Sequence, residues 1–376
     1  MKLNNKLLAQ MRAATRHLMD RQPVDTSKVI EDALNNASAM TQAAQERMRN
    51  LSPLHGGVAP GAHNTDMHDM LAELSRNLGS GSGSGFSGGG FAANEPAPLL
   101  PGSFSNGSYT NAAGTRGYKL YVPSTYAGTP APLLVMLHGC TQDPDDFAKG
   151  TQMNMLAEEM GCLVVYPAQS RQANASRCWN WFNDADQQRD RGEPSIIAGL
   201  TRQIMGEYAV DPAQVFVAGL SAGGAMATIM GTLYPELYAA VGVHSGLPFA
   251  SAHDLPSAMA AMNGDFRRRQ QPGRPIPIIV FHGDQDRTVH PSNGDELIAP
   301  ARDSAEAMAV EPGRVPNGHA YTRTTHKRAD GRVHAEHWLI HGAGHAWSGG
   351  SAHGSYTDGR GPDASREMMR FFRTQK

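Results

Sequence analysis

Val215-Phe-Val-Ala-Gly-Leu-Ser-Ala-Gly-Gly-Ala-Met226 decides how this chain is read. Val215 to Ala218 is an apolar run and predicts a buried strand. Gly219, Leu220, Ser221, Ala222 and Gly223 follow, a G-x-S-x-G match, and Ala225 to Tyr234 reads as a helix. Strand, sharp turn and helix in that order form the context of a nucleophile elbow, whose turn lifts the serine hydroxyl above the sheet edge. The flanking glycines leave room for the crossing backbones. The bland alternative is a Gly-Ser turn in an α/β domain, and the strand before and helix after favour the elbow.

Outward from the elbow, strands and helices alternate. Gly117 to Val122 predicts an antiparallel strand. Leu133 to Leu137, Cys162 to Tyr166, Ala239 to Val243, Ile276 to Phe281 and Glu336 to Ile340 predict buried strands. Thr151 to Met160, Ser195 to Tyr208 and Asp363 to Arg373 predict helices, with Pro167 stopping one strand and Asp211-Pro212 turning into the elbow strand. The implied class is α/β, a mostly parallel sheet with helices on both faces. In such sheets ligands bind beyond the carboxyl ends of the strands. Ser221, Asp286 and His345 all follow predicted strand ends, so they converge on one rim.

The 376 residues allow two or three units at most. Residues 1–78 read as a helical N-terminal extension, with Leu3, Leu7, Met11, Ala14 and Leu18 at helical spacing and a second helix carrying Val29, Ile30, Ala33, Leu34 and Ala37. These helices are candidates to dock a partner, a granule or a membrane surface. Residues 79–98 are a Gly/Ser/Pro-rich linker, and 99–376 form the catalytic domain. A net charge of -2 gives no reason to expect nucleic acid. No apolar run is long enough for a transmembrane segment. Met1 to Asp20 has no signal-peptide core, so cytoplasmic placement is expected.

A serine hydroxyl becomes a nucleophile when a histidine takes its proton, and a carboxylate holds that histidine. On an elbow scaffold the chain order is Ser, acid, His. Ser221, Asp286 and His345 obey it. His345 stands in a loop between Gly344 and Ala346 and is favoured over His334, His337 and His341, which lie on or beside the last strand and face solvent or neighbouring strands. Asp286 is favoured over Asp284 because it stands further from its strand. A zinc site at His341 and His345 needs a helix that Gly342 and Gly344 disfavour, so no metal is expected. The oxyanion hole is assigned to the N–H groups of Cys140 and Ala222. Trp347, Trp179 and His138 are candidate substrate contacts, and Trp181 is assigned to the core. Cys140 and Cys178 are expected to lie close together at the same rim. A bond between them stays open, since cytosolic thiols are usually reduced. Cys162 reads as a buried free thiol.

Five stretches then carry a resemblance: Leu137-His-Gly-Cys-Thr-Gln142, Cys178-Trp-Asn-Trp-Phe182, Gly219-Leu-Ser-Ala-Gly-Gly224, His282 to Asp286, and Gly344-His-Ala-Trp-Ser-Gly349. Together they resemble the poly(3-hydroxybutyrate) depolymerase family of esterases, which is similar in turn to feruloyl and acetyl-xylan esterases. The resemblance covers Gly102 to Phe372. It implies an α/β-hydrolase fold and serine esterase activity on a polyester or an aryl or acyl ester, without a cofactor. It assigns Ser221 as nucleophile, Asp286 as acid and His345 as base, and it implies extracellular placement as the alternative. The same apparatus could run acyl transfer or peptidase chemistry. A non-catalytic binding module on this scaffold is the reading from another class, and the complete Ser-Asp-His set argues against it.

Overall fold

A computed structural model of the chain describes residues 100–265 and 276–375. The expected N-terminal helices, the linker and their docking role lie outside the described residues. The strands are β1 (Ser103–Asn111), β2 (Gly114–Val122), β3 (Ala131–Leu137), β4 (Leu163–Pro167), β5 (Val210–Leu220), β6 (Ala240–His244), β7 (Ile278–Gly283), β8 (Ala307–Arg314), β9 (Ala320–Lys327) and β10 (Val333–His341), with the short pair β11 (Trp347–Ser348) and β12 (Thr357–Asp358). The helices are α1 (Pro144–Thr151), α2 (Met153–Met160), α3 (Gly192–Glu207), α4 (Ala222–Leu233), α5 (Leu255–Met262), α6 (Ser292–Asp303) and α7 (Ala364–Arg373).

The large sheet runs β1-β2-β4-β3-β5-β6-β7-β10-β9-β8. The central six strands, β4 through β10 in that order, pair parallel. Antiparallel hairpins extend both edges. Side-chain alternation splits the core in two. Leu133, Val135 and Leu137 face a layer with α3, α4 and α6, whereas Leu134 and Met136 face one with α1, α2 and α7. Strands buried on both sides read as continuous apolar runs, which is why β3 to β7 stand out in the sequence.

Several boundaries differ from expectation. The helix expected over Thr151 to Met160 is α2, which starts at Met153 because Gln152 adopts φ 54°, and Thr151 instead ends α1, a helix that was not expected. Asp211 and Pro212 lie inside β5 rather than in a turn before it, and Pro167 is the last residue of β4. β1, β8 and β9 were not expected at all. None is a continuous buried apolar run: β1 mixes exposed and half-buried residues, β9 is mostly half-buried, and β8 is largely exposed, Met308 and Val310 included, with Pro312 tolerated there because that strand is a sheet edge. No helix among the described residues is long and apolar enough to cross a membrane.

Candidate active site

The elbow is built from close backbone approach. Ser221 adopts φ 56° and ψ -119°, between the end of β5 and the start of α4. A Cβ on Gly219 would stand 2.4 Å from the Gly223 backbone, and one on Gly223 would stand 2.0 Å from Leu137 O. Only glycine fits at either position. The Ser221 N–H donates to His244 O at 2.9 Å, which ties the turn to the end of β6. A non-glycine residue at positive φ is strained, and here crossing strands on two sides hold it.

Asp286 follows β7 and is buried. Its Oδ1 accepts the N–H groups of Thr288 and Val289, each at 2.9 Å. Its Oδ2 accepts His345 Nδ1 at 2.7 Å. A carboxylate only accepts, so Nδ1 carries the proton and Nε2 of the neutral ring keeps a lone pair. Burial opposes ionisation of Asp286, but His345 and His282 beside it outweigh that and hold the carboxyl far below the usual range. Ser221 and His345 line one cavity together with Cys140 and Ala222. No acceptor among the described residues takes the Cys140 or Ala222 N–H.

The cavity is a cleft of about 820 Å³, part of it open to solvent. Trp181, Phe182, Leu247, Met262 and Val289 give it an apolar wall, and among the described residues no Lys, Arg, Asp or Glu lines it. Cys140 and Cys178 are joined in a disulfide, with Cα atoms 4.2 Å apart, that also faces it. Cys162 is free and buried, and burial pushes its thiol up to about 12.

Three expected substrate contacts do not face this cavity. Trp347 is in the opposite core layer, edge-on to Phe147 and stacked on His244, with Nε1 donating to Ser365 Oγ at 3.0 Å. Trp179 is fully buried and donates from Nε1 to His138 O at 3.2 Å. His138 is buried, its Nδ1 donating to Gly139 O at 2.7 Å and its Nε2 accepting Gln169 N–H at 3.1 Å. Trp181 is in the core, as assigned from sequence, and also lines the cavity. His334 and His337, expected to face solvent or neighbouring strands, are buried. Asp284 accepts His341 Nδ1 at 3.0 Å and Gly342 N–H at 2.8 Å, so it anchors the base of the loop that carries His345. Among the described residues no cluster of three His, Cys, Asp or Glu side chains could hold a metal.

Sequence reasoning missed His282, whose Nε2 donates to Val289 O at 2.8 Å and lies 3.5 Å from Asp286 Oδ2. Its signal was its place four residues before Asp286. Leu247 and Met262 gave none, because nothing in the sequence shows that the segment after β6 folds back over the elbow.

Residues 116–302 match the family model described as Esterase PHB depolymerase. The chain is 31% identical over 251 residues to poly(3-hydroxyalkanoate) depolymerase C of Paucimonas lemoignei, covering 63% of this chain and 59% of that protein. It is 29% identical over 203 residues to a probable acetylxylan esterase A of Aspergillus fumigatus, covering 49% and 53%. The chain thus spans little more than half the length of these relatives. Among solved structures, an acetyl xylan esterase from Aspergillus awamori superposes with TM-score 0.55 at 20% identity, covering 72% of this chain and 99% of that one. That likeness fixes the fold as α/β-hydrolase. Residues 116–302, which hold the elbow serine, thus carry an Esterase PHB depolymerase domain.

Proposed function

We propose that this chain hydrolyses carboxylic esters through an acyl-enzyme on Ser221, and that its substrate is a polyhydroxyalkanoate-type polyester or its oligomers. The observation that carries this reading is the hydrogen bond from His345 to buried Asp286, beside a largely apolar cavity that His345 shares with Ser221. Ser221 Oγ attacks the acyl carbon while His345 Nε2 takes its proton. Charge on the carbonyl oxygen is stabilised by the N–H groups of Cys140 and Ala222. The C–O bond to the alcohol breaks, and the leaving alkoxide takes the proton from Nε2. Water then gives a proton to Nε2 and attacks the acyl carbon, and Ser221 leaves with that proton. Asp286 stays ionised and stabilises the imidazolium in each half.

The polyester reading draws support from the depolymerase relative and from the apolar wall, which suits aliphatic repeat units without free carboxylates. The disulfide suits an oxidising compartment, so extracellular placement is the one we carry forward. A panel of p-nitrophenyl esters assayed beside dispersed poly(3-hydroxybutyrate) tests the proposal. Turnover of short aliphatic esters together with release of soluble hydroxyacid from the polymer is expected. Turnover of feruloyl or acetylated-xylan substrates with an untouched polymer would overturn the polyester assignment.

A further inference from the structure

Glu193 lies outside the cavity, yet it is the point where the segment facing the oxyanion loop is tied down. It stands in the first turn of α3 and is buried, 3% exposed. Its Oε2 accepts the Asn180 N–H at 2.7 Å. Its Oε1 accepts Asn180 Nδ2 at 2.8 Å, Arg116 Nη2 at 3.1 Å and the Gln169 amide. Gln169 in turn accepts Arg116 Nε at 2.8 Å and donates from Nε2 to Cys178 O at 2.8 Å. One carboxyl group therefore satisfies four donors; burial and the nearby Asp186 push its pKa above the usual carboxyl value, and these donors favour the charged form against that.

Links from that hub reach the oxyanion loop by several routes. Cys178 is bonded to Cys140. Trp179 Nε1 holds His138 O at 3.2 Å, and Gln169 N–H holds His138 Nε2 at 3.1 Å. Thr141 N–H donates to Ser176 O at 2.7 Å. His138, Cys140 and Thr141 are thus clamped on both sides of the Cys140 N–H by a segment whose own anchor is Glu193. Burial lowers His138 to about 4, which keeps it in the one neutral tautomer that satisfies both of its hydrogen bonds.

Resting on the esterase reading above, we propose that Glu193 is a positioning residue for the oxyanion hole, acting through Asn180, Gln169 and the Cys140–Cys178 bridge. A glutamine in its place has one acceptor oxygen and two N–H donors. Whichever way that amide turns, a donor meets a donor, at Asn180 N–H or at the Arg116, Gln169 and Asn180 side chains. The clamp then shifts, and the Cys140 N–H moves off the line to the developing oxyanion.

The test compares wild type, Glu193→Gln and Asn180→Ala on p-nitrophenyl acetate, with rates expressed per active site titrated by a fluorophosphonate. The short acetyl group limits contact with Trp181 and Phe182. For Glu193→Gln, kcat per titrated site should fall about tenfold to a hundredfold with KM within about twofold. Affinity for a trifluoromethyl ketone, which places an oxyanion in the hole, should fall in the same proportion. The pH profile should keep its shape, because Asp286 and His345 are untouched. Asn180→Ala, which keeps the Arg116–Glu193 pair, should fall in the same direction by a smaller factor, and it decides the matter if Glu193→Gln does not fold. A smaller titratable fraction with wild-type kcat per site and wild-type ketone affinity would mean that Glu193 only supports the fold, and would overturn the proposal. A wild-type protein that is neither titrated nor active on any ester would overturn the esterase reading itself.

Discussion

Asp286 is shared by two histidines: the Oδ2 that accepts His345 Nδ1 at 2.7 Å also lies 3.5 Å from His282 Nε2. His282 is fully buried, and its proton is directed at Val289 O, in the turn whose N–H groups hold Asp286 Oδ1. It therefore fixes both the turn and the carboxylate. His282→Leu should lower kcat about tenfold, the scale of one hydrogen bond to a charged group, in protein shown by circular dichroism to be folded. An unchanged kcat would leave His282 as packing alone.

Asp286→Asn should lower kcat about 10⁴-fold, because the amide favours the wrong histidine tautomer and cannot stabilise the imidazolium. Asp284→Asn should cost less than about tenfold, since Asp284 touches His341 and Gly342 rather than His345. Steady-state rates of the two variants check this. Equal or reversed losses would assign the acid to Asp284.

Acid should destabilise this protein well before the carboxylate range. Burial lowers His138 to about 4, and His244 and His337 to about 3. In the unfolded chain each sits near the ordinary value of about 6.5. The unfolded state therefore binds more protons below that value. The stability contributed by the neutral rings is complete above about pH 6.5 and is lost as pH falls toward the folded values. Urea unfolding at about pH 7 and about pH 5 should show a clear loss at the lower value, while Asp286, held ionised, still contributes there. Equal stabilities at the two pH values would contradict the assigned burial.

Trp181 and Trp347 are both core residues, but only Trp181 also lines the cavity. Trp181→Ala should raise KM for butyryl and longer esters by about tenfold through lost apolar contact, with little effect on acetyl esters. Trp347→Ala should lower unfolding free energy by about 3–5 kcal/mol and leave KM within about twofold. Denaturant melts and KM measurements on both variants check the division. A KM effect confined to Trp347→Ala would reverse it.

The central sheet and the chain order of Ser221, Asp286 and His345 were legible because they leave local marks: apolar runs, an elbow between small residues, and polar residues just past strand ends. β1, β8 and β9 leave no such mark, since a partly exposed strand at or next to a sheet edge, such as Tyr109 to Asn111 or Tyr321 to Thr324, need not be apolar. The break at Gln152 depends on a left-handed backbone that its side chain does not announce. The tryptophans were misread because sequence distance says nothing about which side of the sheet a side chain takes. Trp347, two residues past His345, goes to the far layer, while Trp179 turns inward and Trp181 turns to the cavity.

The account rests on covalent catalysis by Ser221, and trapping the intermediate tests that most directly. Protein quenched in acid during turnover of p-nitrophenyl butyrate should gain one butyryl group, mapped by peptide mass spectrometry to Ser221, and Ser221→Ala should show neither the adduct nor turnover. Full turnover by Ser221→Ala, or an acyl group on another residue of the wild type, would contradict it.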